Sequence, residues 1–147
     1  MQRRQLLKGF ISLVLGMFSM SLLGVVAFIY PKANREKTLT YIAVLEVHDL
    51  PKRYVKKVEY QYKERGEIRS ARVYIAPYDN SFIALSPVCT HLGCLVNWDS
   101  INKEFICPCH AGRYDMWGNV VGGPPMRPLN RLPIKIRDDV VYIGLYL

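Results

Sequence analysis

Histidine and cysteine are scarce in this chain, three and four of 147 residues. Other absences narrow the reading further. After residue 38 no stretch repeats apolar residues at the spacing of an amphipathic helix, which excludes a helical head. No nucleic-acid-binding motif accompanies the net charge of +8. That charge is unevenly placed: residues 1–37 hold six Lys or Arg against one Glu, and 38–147 hold fourteen against eleven. The excess lies on the N-terminal arm, at Arg3, Arg4, Lys8, Lys32, Arg35 and Lys37, where it can meet lipid head groups. Lys56, Lys57, Lys63, Arg65, Arg69 and Arg72 alternate with apolar residues and read as the solvated face of a sheet.

There is one long hydrophobic run. Gly9 to Ile29 contains no charged residue and no polar side chain beyond Ser12, Ser19 and Ser21. Coiled as a helix it reaches roughly 31 Å, the thickness of a bilayer core. The run predicts a single-pass anchor over 9–30. Arg3-Arg4-Gln5-Leu6-Leu7-Lys8 looks like a twin-arginine export signal over residues 1–8, with Gln2 and Leu6 departing from the usual residues. No small-x-small cleavage site follows the run, so the helix is expected to stay as the anchor. That arrangement puts the N-terminus in the cytoplasm and the head outside the plasma or inner membrane. Residues 31–38 form a polar connector with Pro31, Ala33 and Asn34. A hinge and a stiff neck fit that composition equally.

From Leu39 onward the chain reads as strand after strand. Tyr41–Val47, Val55–Tyr62, Ile68–Ile75 and Phe82–Leu85 are rich in β-branched and aromatic residues, and Arg65-Gly66 marks a turn. Leu132–Arg137 and Val140–Tyr146 flank Asp138-Asp139 as a terminal hairpin. Residues 39–147 are therefore expected to form an all-β, mostly antiparallel head. An insertion over about 86–123 carries short strands at Leu95–Trp98 and Glu104–Ile106. His48 reads as a solvated strand residue and Trp98 as a packing indole.

All four cysteines and two of the three histidines lie in two boxes, Cys89-Thr90-His91-Leu92-Gly93-Cys94 and Cys107-Pro108-Cys109-His110-Ala111-Gly112. Thiolates and imidazoles suit zinc or iron with sulfide, whereas calcium or magnesium would call for oxygen donors. Six candidates exceed the four that close a tetrahedral site. Each loop can offer one sulfur and one nitrogen, Cys89 with His91 and Cys107 with His110. A zinc knuckle would use the same donors, but its usual spacings differ and it gives the other two cysteines no role. A metal-free disulfide framework leaves the histidines unexplained.

The boxes match, residue for residue, the pattern C-T-H-x-G-C and C-P-C-H, and on them the chain resembles the Rieske iron-sulfur protein of cytochrome bc-type quinol-oxidising complexes. The resemblance implies one [2Fe-2S] cluster, with Cys89 and Cys107 on one iron, His91 and His110 on the other. It further implies a Cys94–Cys109 disulfide, suited to an oxidising compartment. Gly122-Gly123-Pro124-Pro125 looks like the family's proline loop over the cluster, and Leu92 sits where an apolar contact with a partner is expected. Tyr114 matches a tyrosine whose hydroxyl donates to the ligand cysteine, here Cys89. Gly112 stands where the family often has a serine that donates to a bridging sulfide. Donors to cluster sulfur favour the reduced state, so Gly112 implies a potential low in the Rieske range of about −150 to +300 mV.

The partners so implied are a quinol, menaquinol by the low potential, with a b-type cytochrome subunit, a c-type cytochrome acceptor and the lipid bilayer. Either His91 or His110 would dock the quinol hydroxyl. Electron uptake beside these imidazoles favours proton uptake on them. The same boxes occur in the small Rieske subunit of exported molybdenum oxidoreductases such as arsenite oxidase, which stands as the alternative. Soluble oxygenase ferredoxins with related ligands typically lack both the anchor and the second cysteine pair.

Overall fold

The computed structural model describes residues 2–30, 38–64 and 66–147, and the chain divides into two compact units, Met1–Glu36 and Lys37–Leu147. In the first, a single helix α1 runs Gln2–Ile29, exposed along its length and long and apolar enough to cross a membrane. It begins seven residues earlier than the uncharged run, so Arg3, Arg4 and Lys8 lie on its first turns. Hydroxyls in such a helix need internal partners. Ser12 donates to the Lys8 carbonyl at 2.9 Å and Ser19 to that of Leu15 at 2.8 Å.

Among the described residues the second unit holds eleven strands: β1 Leu39–Glu46, β2 Lys56–Glu64, β3 Glu67–Tyr78, β4 Ser81–Leu85, β5 Asn97–Asp99, β6 Glu104–Ile106, β7 Arg113–Tyr114, β8 Val120–Gly122, β9 Arg131–Leu132, β10 Ile134–Arg137 and β11 Val140–Tyr146. They form three sheets, ordered β1-β11-β10, β2-β3-β4-β9 and β5-β6-β7-β8, with every pairing antiparallel. Val47–Asp49 is a 3₁₀ turn, which places His48 off the strand, 3.2 Å from Glu46.

The connector expected over 31–38 lies outside the described residues except for Thr38. Thr38 exchanges backbone hydrogen bonds with Leu147, both 3.1 Å, and so belongs to the head. Of the Arg65-Gly66 turn, Gly66 is described; its φ of +89° suits the tight reversal that pairs Glu64 with Glu67. Asp138 and Asp139 both adopt positive φ between Arg137 and Val140, as a two-residue hairpin turn requires.

Two expected strands need correction. Leu132–Arg137 is not one strand: Arg131–Leu132 pairs with β4, whereas Ile134–Arg137 pairs with β11. Pro133 divides them, because it has no N–H to continue a ladder. Leu95 lies outside β5 and forms an isolated bridge to Val88. Strands β7 and β8 carried no periodic signal; they are two and three residues long and rest on their turn. Within that turn one Asp115 carboxylate oxygen accepts from the backbone N–H groups of Trp117 and Asn119, while the other accepts from the Asn119 amide.

Strand β3 explains how one small unit holds two cores. Its central residues are buried on both faces, so period-two alternation sends Val73 and Ile75 to one side, Tyr74 and Ala76 to the other. Val73 and Ile75 pack with Ala84, Val141 and Ile143 against the β1-β11-β10 sheet. Tyr74 and Ala76 pack with Leu85, Val96, Phe105, Tyr114 and Leu129, and this second core contains Cys89 and Cys107. Tyr74 meets Phe105 edge-on at 63° and Trp98 meets it tilted at 59°, with ring centroids 4.8 Å apart in each case.

Candidate metal centre

Both boxes emerge from this second core. Box one leaves β4 through Ser86, whose N–H donates to Asn130 O at 2.8 Å, and closes on itself as Cys89 N–H donates to Cys94 O at 2.8 Å. Box two follows β6 directly, and Cys107 N–H donates to Gly112 O at 2.8 Å, closing the second loop. The tight return needs Ala111 in the left-handed region at φ +53°. A non-glycine residue there carries a cost of order 1 kcal/mol.

Cys94 and Cys109 form a disulfide across the two loops, separated by 15 residues in sequence. Cys89 and Cys107 are free and buried. The Sγ atoms of Cys94, Cys107 and Cys109 lie within 4.8 Å of one another. That cluster is no three-thiolate site, because two of its members are spent on each other. The imidazoles of His91 and His110 are exposed, 5.0 Å apart between centroids and at 87° to one another. Two free thiols buried in a core and two accessible imidazoles side by side fit a cofactor with a sulfur-ligated inner end and a nitrogen-ligated outer end.

The buried end is wired by Tyr114. Its hydroxyl lies 3.2 Å from Cys89 Sγ and 3.1 Å from Thr90 Oγ1, and it accepts from the Thr90 N–H at 3.1 Å. Thr90 Oγ1 donates its own proton to Arg127 O at 2.6 Å. With the Thr90 proton given to Arg127 O, the Tyr114 hydroxyl is the group that can donate to Cys89 Sγ when that sulfur is a thiolate. Burial raises the Cys89 thiol, but hydrogen bonds from Tyr114, the His91 backbone, Cys107 and the Leu92 backbone outweigh it and hold it below its ordinary value. Burial and the hydrogen bond to Cys89 push the Tyr114 phenol up.

Leu92 projects from box one, 69% exposed. Gly123 adopts φ +82°, and Pro125 is buried while Pro124 is exposed. The part of Thr90 in linking box one to the Arg127 carbonyl was not read from sequence, nor was the left-handed Ala111. The threonine stands inside the C-T-H motif, but no pattern says which distant carbonyl it meets.

The family model for the Rieske [2Fe-2S] domain matches residues 40–133. The chain is 33% identical over 121 residues to the cytochrome b6-f complex iron-sulfur subunit of Chlorobaculum tepidum, covering 82% of this chain and 62% of that one. It is 37% identical over 118 residues to the menaquinol:cytochrome c reductase iron-sulfur subunit of Bacillus subtilis, covering 76% of this chain and 69% of that one. It thus spans roughly two thirds of the length of these relatives. Among solved structures, the plasma membrane Rieske protein PetC3 of Synechocystis PCC 6803 superposes with a TM-score of 0.53 at 28% identity, covering 69% of this chain and 97% of that one.

Proposed function

Since the chain belongs to the Rieske [2Fe-2S] family, we propose that it is the membrane-anchored electron-transfer subunit of a bc-type quinol:cytochrome c oxidoreductase. The observation that carries this reading is the pairing of two free buried thiols, Cys89 and Cys107, with two exposed, adjacent imidazoles, His91 and His110. Cys89 and Cys107 would hold one iron and His91 and His110 the other. When bound, the cluster supplies a one-electron couple.

The chain's own residues do three things around it. Burial of Cys89 and Cys107 keeps water from the sulfur donors. The exposed imidazole edge of His91 or His110 accepts a hydrogen bond from a quinol hydroxyl and then holds its proton. Leu92 offers an apolar contact to the pocket of a b-type cytochrome, and a c-type cytochrome accepts the electron. Gly112 brings no hydroxyl to the site, which supports a low potential and menaquinol as donor.

Helix α1 would anchor the protein, N-terminus in the cytoplasm and head on the outer side. The Cys94–Cys109 disulfide suits that compartment. The named relatives are subunits of b6-f and menaquinol:cytochrome c complexes, so the molybdenum-enzyme alternative is not favoured.

The test is to purify the full chain from membranes, assay iron and acid-labile sulfide, record electron paramagnetic resonance after reduction and identify what co-purifies. About two irons and two sulfides per chain, a Rieske-type signal and a b-type cytochrome are expected. One zinc per chain, or a molybdopterin subunit as companion, overturns the proposal.

A further inference from the structure

Gly112 and Pro125 occupy one volume. Both residues are buried. A Cβ placed on Gly112 would lie 2.7 Å from Pro125 Cγ, 3.1 Å from its Cδ and 3.5 Å from Cys107 Cβ. Neither wall can easily recede. Gly112 is fixed from box two by the bond from Cys107 N–H to its carbonyl. The loop carrying Pro125 is fixed by Gly123, where a Cβ would lie 2.6 Å from Ala111 O and 2.8 Å from Gly112 Cα. The loop backbone therefore already rests on the Ala111–Gly112 backbone, and the pyrrolidine ring completes the seal.

We propose that Pro125 is a positioning residue that takes the place of a side chain at position 112, so that a hydroxyl there and a seated proline ring exclude one another. This rests on the function proposed above. A pyrrolidine ring offers no donor and excludes water, and both effects disfavour added negative charge on nearby sulfur. On this view the low potential is set by a residue pair, through packing as well as through the missing hydroxyl. Gly112→Ser alone installs no useful donor; it lifts the loop and admits water beside Cys107.

The experiment is a double-mutant cycle in the full-length, cluster-loaded protein, reading midpoint potential by redox titration and cluster loss by visible bleaching. The variants are Gly112→Ser, Gly112→Ala and Pro125→Ala, with each of the first two also combined with Pro125→Ala, which removes both clashing atoms. Gly112→Ser and Gly112→Ala alone should bleach several-fold faster than wild type, or fail to load. Combination with Pro125→Ala should restore loading in both. The Ser/Ala double should then have a midpoint above that of Pro125→Ala alone, whereas the Ala/Ala double should match it.

Additive shifts with wild-type bleaching in Gly112→Ser would overturn the inference, as would doubles that remain as labile as the singles. Absence of a Rieske signal from the wild type is a different failure, and sinks the functional reading instead.

Discussion

The Tyr114 hydroxyl lies 3.2 Å from the Sγ of Cys89, inside a core that both residues help to form. The thiol proposed as a cluster ligand is thus packed and hydrogen-bonded by the same side chain. Tyr114→Phe should keep the packing and lose the donor. One hydrogen bond contributes roughly 1–1.5 kcal/mol, and since about 59 mV is tenfold for one electron, the midpoint should fall by some 40–60 mV. A redox titration that finds no change would show that the donor does not act on the cluster.

Phe105 packs against both Tyr74 and Trp98 and belongs to the core that holds Cys89 and Cys107. Phe105→Ala should cost about 3–5 kcal/mol in unfolding free energy. Cluster bleaching and loss of tertiary circular dichroism should coincide on denaturation, because one core supports both. If bleaching greatly precedes unfolding, the loops are held by something other than this core.

The Cys94–Cys109 disulfide should contribute about 3 kcal/mol by the chain-entropy account of a loop of this length. Replacing both cysteines with Ala should lower the denaturant midpoint and accelerate cluster loss. Mild reduction of the wild type should reproduce the double substitution. A variant as stable as wild type would make the disulfide energetically idle.

Tyr60 gives an alkaline prediction. Burial, with a smaller contribution from Tyr62, raises its phenol above the ordinary value near 10. The folded state keeps Tyr60 neutral where the unfolded chain would ionise. Its stabilisation is therefore complete below about pH 10 and is lost as pH rises through the folded value. Tyr60→Phe should flatten the alkaline fall in urea stability. Equal slopes in both proteins between about pH 9 and 11 would assign that fall to other groups.

The order in which the chain yields its information is physical. The apolar helix and most strands were legible because hydrophobic length and period-two alternation are local properties: Gly9 to Ile29 has no charge, and β2 alternates Val58, Tyr60 and Tyr62 with Glu59 and Gln61. The two boxes were legible because metal donors are rare and their spacing is fixed by loop geometry. Strands β7 and β8 were not, since two or three residues carry no period and their order comes from the Asp115 turn.

Sequence by itself determined an apolar span, a β head and which six side chains could serve a metal or a disulfide. Only the tertiary structure decided that Pro133 hands the chain from one sheet to another, that Thr90 reaches the Arg127 carbonyl, and that Pro125 fills the space above Gly112. Those are contacts between segments distant in sequence, and they depend on how loops close around a shared core. No local pattern encodes the distance between two such loops; packing fixes it.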